Sequence, residues 1–197
     1  RKLFDAFRNH QMVDLVIILD RSESIDCYQF QCAKDLLVRM VHYLVESGYT
    51  AVGPNHLRVA FISFGISVTS DFDGISETTQ AEDLFSCNFE SKIFDTIFPI
   101  KGSKVALALE RAINIFTAGQ KNRNSDGRQD LKQILIVVSD GESTDEGINT
   151  SGNSTLIKTA IRRLHEMDVQ RFAIGQDHGW MDTADREETV ISMATDR

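Results

Sequence analysis

Hydrophobic and polar positions follow two periods along this chain, and the change from one to the other marks its elements. Val13 to Leu19 is an apolar, largely β-branched run broken only by Asp14. It is too short to span a membrane and reads as a central strand buried on both faces. From about Tyr28 to Glu46 the spacing changes. Phe30, Ala33, Leu37, Met40, Val41 and Leu44 recur at helical intervals, with Gly48 just past the end. Leu57 to Phe64 reads as a second strand, and Ile66 to Phe72 as a short strand antiparallel to it. Val105, Leu109, Ala112, Ile113 and Phe116 predict a helix opened by Gly102-Ser103. Gln133 to Ser139 is another buried strand. Leu156 to Met167 is a helix, Val169 to Ile174 a strand, and Thr183 to Ala194 a helix. Thr78 to Phe85 reads as a short helix, and Ile93 to Ile100 fits either period. Gly119 to Asp130 and Gly147 to Ser154 read as polar loops. Strands alternating with helices predict an α/β fold: a doubly wound, mostly parallel central sheet flanked by helices. Residues 1–12 form a lead-in with no assigned role, and 13–197 form one domain.

Bulk properties narrow the function classes. Of 197 residues, 42% are hydrophobic and 25% charged, ordinary for one globular domain with a sizeable core. A net charge of −8 argues against nucleic acid or an anionic membrane as the main partner. No apolar run approaches the ~20 residues of a membrane helix, so direct membrane insertion is not expected. The chain opens on Arg1, which fits a mature form or an excised domain. Cys27, Cys32 and Cys87 cannot all pair with one another, and their spacing matches no zinc motif. In one regular helix Cys27 and Cys32 would exceed the ~7 Å Cα separation a disulfide allows. They could pair only if Cys27 precedes the helix.

The chemistry gathers where buried strands end. The first ends on Asp20, followed by Ser22 and Ser24. A later one ends on Ser139-Asp140-Gly141-Glu142-Ser143. Between them Gly102-Ser103 opens a helix. Each piece alone has an ordinary reading, a turn or a helix cap. Together they set two carboxylates and several hydroxyls at the carboxyl ends of strands, where open α/β sheets bind ligands. Such hard oxygen donors suit Mg²⁺ or Mn²⁺ rather than zinc.

Asp20-x-Ser22-x-Ser24, Gly102-Ser103 and Ser139-Asp140-Gly141-x-Ser143 resemble the three loops of a von Willebrand factor A domain. The resemblance extends from about Asp14 to Thr195 and is strongest to A domains of secreted matrix or complement-type proteins. It implies a metal-ion-dependent adhesion site with Asp20, Ser22, Ser24, Ser103 and Asp140 around one divalent cation. Mg²⁺ is expected, with Mn²⁺ an equivalent and Ca²⁺ possible. Ser103 stands where the family usually has Thr. The hydroxyl is kept, but the methyl that restricts its rotamer is lost. The resemblance further implies binding rather than catalysis, the ligand being an exposed Asp or Glu of a protein partner. The competing readings are a structural matrix module with a vestigial site and an intracellular assembly domain. The family's last strand and helix are not expected within this chain, and Cys87 is expected to pair beyond Arg197.

Other chemistries find no support. Walker A spacing and Gly-x-Ser-x-Gly are both absent. His10, His42, His56, His165 and His178 are scattered and read as structural. Glu142, Asp145 and Glu146 form an acidic run beside the third loop, read as a solvated rim. Asn149-Thr150-Ser151 and Asn153-Ser154-Thr155 satisfy the N-glycosylation pattern, and two such sites in one polar loop favour an extracellular, secreted protein.

Overall fold

A computed structural model of the chain describes residues 12–46, 56–73, 75, 93–96, 101–124, 131–140, 155–175 and 190–192, together with Leu3 and Phe7. Six strands are described: β1 (Met12–Asp20), β2 (Leu57–Phe64), β3 (Val68–Asp73), β4 (Leu131–Val138), β5 (Gln170–Gly175) and β6 (Val190–Ser192). The long helices are α1 (Cys27–Glu46), α2 (Val105–Asn124) and α3 (Thr155–Glu166). The sheet order is β3-β2-β1-β4-β5-β6. All neighbours are parallel except β3, which returns antiparallel to β2. The chain winds outward from β1 through β2 and β3, then resumes on the other side at β4. The winding direction thus reverses between β1 and β4, and the crevice beyond their carboxyl ends is the expected ligand position.

Burial explains why β1 reads as a continuous apolar run. All nine of its residues are buried. Leu15, Ile17 and Leu19 face one core, with Phe30, Leu37 and Leu44 of α1. Val16 and Ile18 face the other, with Leu109, Ile113 and Phe116 of α2 and Ile157 and Leu164 of α3. A strand covered by helices on both faces has no side on which a polar residue meets water. Leu3 and Phe7 of the lead-in join the α1 core.

Asp14 therefore needs an answer, and it comes from the neighbouring strand. Asp14 pairs in register with Arg58. Arg58 Nε donates to Asp14 Oδ1 at 2.8 Å and Nη2 to Oδ2 at 2.7 Å. Both residues are almost wholly buried. Arg58 Nη2 also reaches the carbonyl of Gly119 at 3.4 Å. On the other side of Asp14, Gln133 of β4 is in register. Its Nε2 donates to the Phe116 carbonyl at 3.4 Å, and its Oε1 accepts from Gln120 Nε2 at 3.1 Å. A polar row thus crosses three strands and ties them to the backbone of α2.

This row corrects the reading of Gly119 to Asp130 as a connector from its first residue. α2 continues to Asn124. Gly119 is there for close approach. A Cβ at this position would stand 2.5 Å from Ile75 Cγ2, 3.0 Å from Arg58 Nη2 and 3.2 Å from Asp14 Oδ2. A second correction concerns Thr183 to Ala194. Val190–Ser192 is not helical but pairs in parallel with Ala173–Gly175. A sixth strand thus stands where the sequence reading expected a helix and no further strand. Cys27 is the first residue of α1 rather than a residue before it, and Cys27 and Cys32 are both free thiols. Cys87 and the segments 78–85 and 147–154 lie outside the described residues. Among the described residues no helix is long and apolar enough to cross a membrane.

Removing one member of the Asp14–Arg58 pair strands a buried charge. Arg58→Met should therefore cost about 3–5 kcal/mol in urea unfolding. The double variant Asp14→Leu/Arg58→Met should recover most of that loss. Equal destabilisation by the single and double variants would show that the pair acts through packing alone.

Candidate functional site

The site is built outward from the end of β1. Asp20 is fully buried, and Ser22 and Ser139 hold its carboxylate with neutral donors. The backbone N–H of Ser22 donates to Oδ1 at 2.8 Å, and the Ser139 hydroxyl donates to Oδ2 at 2.7 Å. Ser22 and Ser24 share a hydrogen bond between their hydroxyls at 2.8 Å. The loop keeps this shape for local reasons. Arg21 N–H donates to the Phe64 carbonyl at 2.9 Å, fastening the chain to the end of β2. Asp26 then caps α1, its Oδ1 accepting from Gln29 N–H at 2.8 Å.

The other two loops meet the same edge of the sheet. Ser139 follows β4, and its N–H donates to the Ile174 carbonyl at 3.1 Å. Asp140 comes next and is half-buried. Its charge is close enough to act on Asp20. Ser103 is buried and sits just beyond the end of β2, because Lys104 N–H donates to the Gly65 carbonyl at 2.9 Å. Gly102 makes the preceding turn with φ of 70°, a left-handed conformation glycine adopts without strain. Asp20 is in register with Phe64, so the Ser103 loop lies one strand over from Asp20. The structure thus gathers Asp20, Ser22 and Ser24 in one loop. Asp140 stands across β4, and Ser103 across β2. Asn149 and Asn153, and the acidic run from Glu142 to Glu146, lie outside the described residues.

Two features of this site were not singled out from sequence. One is Ser139. Leu19 pairs with Val138, so Asp20 and Ser139 are the next opposed residues. That signal is a register between strands 119 residues apart, which no local pattern carries. The other is Arg21. It is largely buried and donates through Nη2 to Thr69 Oγ1 at 2.7 Å, while its Nε is buried without a partner.

The electrostatics follow from burial. Desolvation, with a smaller contribution from the nearby charge of Asp140, raises the pKa of Asp20 from 3.8 to about 6. The hydrogen bonds from Ser22 and Ser139 oppose this rise without cancelling it. None of those donors is charged. Among the described residues no three carboxylate, imidazole or thiol groups converge. The donor set is instead two carboxylates with hydroxyls, all hard oxygens, which fits Mg²⁺ or Mn²⁺ and is unsuited to zinc. A cavity of about 50 Å³ adjoins the carboxylates, lined by Asp20, Ser139 and Asp140 and by apolar residues that include Ile25, Phe30 and Ile174. Ser22, Ser24 and Ser103 do not line it, and it is too small for a metabolite. A larger open hollow of about 450 Å³ lies between β3 and α2. Its one carboxylate, Glu110, is bound by Arg163 Nη1 at 2.6 Å, so it does not compete as a reactive site.

The raised pKa of Asp20 has a definite consequence for stability. Its folded value lies above its unfolded value, so the folded form holds the proton more tightly. The stabilising contribution is complete below about 3.8 and is lost as pH rises through about 6. Replacing Asp20 by Asn should remove this dependence. In chelator-treated protein, the stability difference between Asp20→Asn and wild type should grow by on the order of 3 kcal/mol from pH 4 to pH 7.5. A flat difference across that range would show that Asp20 is solvated.

Comparison with known proteins agrees with this geometry. Residues 14–197 match the family described as von Willebrand factor type A domain. Human matrilin-4 is 27% identical over 164 residues, covering 83% of this chain and 24% of that protein. Mouse integrin alpha-2 is 26% identical over 163 residues, covering 83% of this chain and 12% of that protein. The chain thus spans a quarter or less of these relatives. Proximal thread matrix protein 1 from the mussel byssus superposes with a TM-score of 0.56 at 17% identity, covering 88% of this chain and 38% of that one, a likeness of fold. With its sheet order, the loops at its switch point and a family match over nearly its whole length, this chain belongs to the von Willebrand factor type A domain family.

Proposed function

We propose that this domain is an extracellular ligand-binding module that recognises an acidic residue of a protein partner through a bound divalent cation. The observation that carries the reading is the placement of Asp20 opposite Ser139 and beside Asp140. Two carboxylates from the ends of adjacent strands act on one another there, and the donors that hold Asp20 are neutral. Like charges brought together in a buried place call for a cation. Asp20, Ser22, Ser24, Ser103 and Asp140 would hold Mg²⁺ or Mn²⁺, with Ca²⁺ a third candidate. The cation would supply an open coordination position for a carboxylate oxygen of the partner.

The chain's own residues prepare that position. Asp20 is immobilised by Ser22 and Ser139. The Ser22–Ser24 hydrogen bond keeps both hydroxyls on one side of the loop. Ser103 is fixed by the backbone tie of Lys104 to Gly65. The reading is capture rather than turnover, as the adhesive relatives support. The matrilin and integrin relatives support an adhesive role and an extracellular setting. The paired acceptor sequences at Asn149 and Asn153 support the same setting.

Calorimetry with Mg²⁺ and Mn²⁺ tests the ion. Asp140→Ala should weaken binding by at least ~10-fold with the fold intact, because Asp140 is half-buried at the sheet end rather than in a core. Ser103→Thr should hold or tighten binding, since it keeps the hydroxyl and restricts its rotamer. If wild type binds neither ion at millimolar concentration, the site is vestigial and the domain is a structural module. The setting is tested separately. Protein secreted by animal cells should lose mass on enzymatic deglycosylation, through Asn149 or Asn153. Unmodified asparagines at both positions would count against an extracellular protein.

A further inference from the structure

Ser139 lies outside the five expected ion ligands, yet the site is joined through it. Its hydroxyl is buried and donates to Asp20 Oδ2 at 2.7 Å across 119 residues of sequence. Its backbone N–H is anchored separately, on the Ile174 carbonyl at the end of β5. The hydroxyl therefore projects from a fixed point. The next residue is Asp140, whose charge repels that of Asp20. One serine thus fixes the orientation of the first carboxylate and, through the peptide that follows, the position of the second. Asp20 Oδ1 is already taken by its own loop through Ser22 N–H. Among the described residues, the bond at Oδ2 is the one that comes from another strand.

On the reading that Asp20 and Asp140 hold a cation, we propose that Ser139 is a positioning residue that joins the two carboxylate loops before the ion arrives. Its O–H dipole points at one carboxylate and offsets part of the repulsion between the two. Without it the first carboxylate loses its tie to β4, and the described residues that still hold it belong to its own loop. Ion binding must then bring the two loops together, at a loss of affinity. Neighbours that orient metal ligands typically matter by ~10–100-fold in affinity.

A second buried serine supplies the control. Ser63 on β2 is fully buried, and its hydroxyl donates to Asp71 Oδ2 at 2.6 Å. It is the same kind of bond, on the β3 side of the sheet and away from β4. Ion affinity is measured by calorimetry with Mn²⁺ and Mg²⁺, well below the unfolding temperature, on wild type, Ser139→Ala, Ser139→Thr and Ser63→Ala. Ser139→Ala is expected to weaken binding by ~10–100-fold. Ser139→Thr keeps the donor and should stay within about threefold of wild type, as should Ser63→Ala, which touches no ligand. Should Ser139→Ala fail to fold, Ser139→Cys takes its place. It keeps the volume with a weak donor, and the same loss of affinity is expected. Wild-type affinity in folded Ser139→Ala, or in Ser139→Cys where it takes that place, overturns the inference, as does an equal loss in Ser63→Ala. A wild-type protein that binds neither ion overturns the ion-site reading itself, a result distinct from the other two.

Discussion

The constraint on which the structure turns is the complete burial of β1. Helices cover both its faces, so each of its nine positions must be apolar or be matched chemically. Two positions are aspartates, and the fold treats them in opposite ways. Asp14 is met by a full positive charge, the guanidinium of Arg58, in a two-point contact. Asp20 is met by a backbone N–H and a hydroxyl. The first aspartate is neutralised inside the protein. Among the described residues the second meets no positive charge, at the point where the sheet changes winding direction. A carboxylate held in that state is poorly tolerated empty and well suited to a cation. Structure and binding are thus two answers to one burial problem, six residues apart on one strand.

α2 links the two ends of this arrangement. Near its C-terminal end, the carbonyls of Phe116 and Gly119 accept hydrogen bonds from Gln133 and Arg58. At its other end, the tie from Lys104 to Gly65 sets Ser103 beside the sheet. Between them, Leu109, Ile113 and Phe116 fill the core against Val16 and Ile18. The helix is held by polar contacts at each end and apolar contacts along its length. A helix so fastened presents its leading loop at a fixed height above the strands. That is what a hydroxyl ligand requires.

Much of this was legible in the sequence, and the exceptions share a cause. The strands and helices appear because burial on one face or two leaves periods of 2, 3.6 or an unbroken run. The carboxylates appear because they end such runs. Asp14 looked like an interruption, because Arg58, its partner, lies 44 residues away on the neighbouring strand. Ser139 passed as the end of a strand, because its role depends on register with β1. Gly119 looked like the end of a helix, because local rules price a glycine by its freedom and not by what it approaches. Val190–Ser192 sits among helix-forming residues and is held as a strand by pairing with β5. In each case the deciding contact is between strands or between layers. Local pattern shows the elements, and register decides what their ends do.

The Asp20–Ser139 hydrogen bond also places the site in time. Its two ends are 119 residues apart, and β1 meets β4 only after β2, β3 and α2 have been traversed. Closing so long a loop is slow and comes late in folding, since chain entropy opposes it until many contacts form together. A chain that has folded only through α2 already contains Asp20, Ser22, Ser24 and Ser103 and can pair β1 with β2, but its first carboxylate lacks the hydrogen bond from Ser139. The binding edge therefore comes into being when β4 docks, and not before. On the proposed reading, the nascent domain passes through most of its length without the means to capture a ligand, and competence arrives with the closing of the sheet.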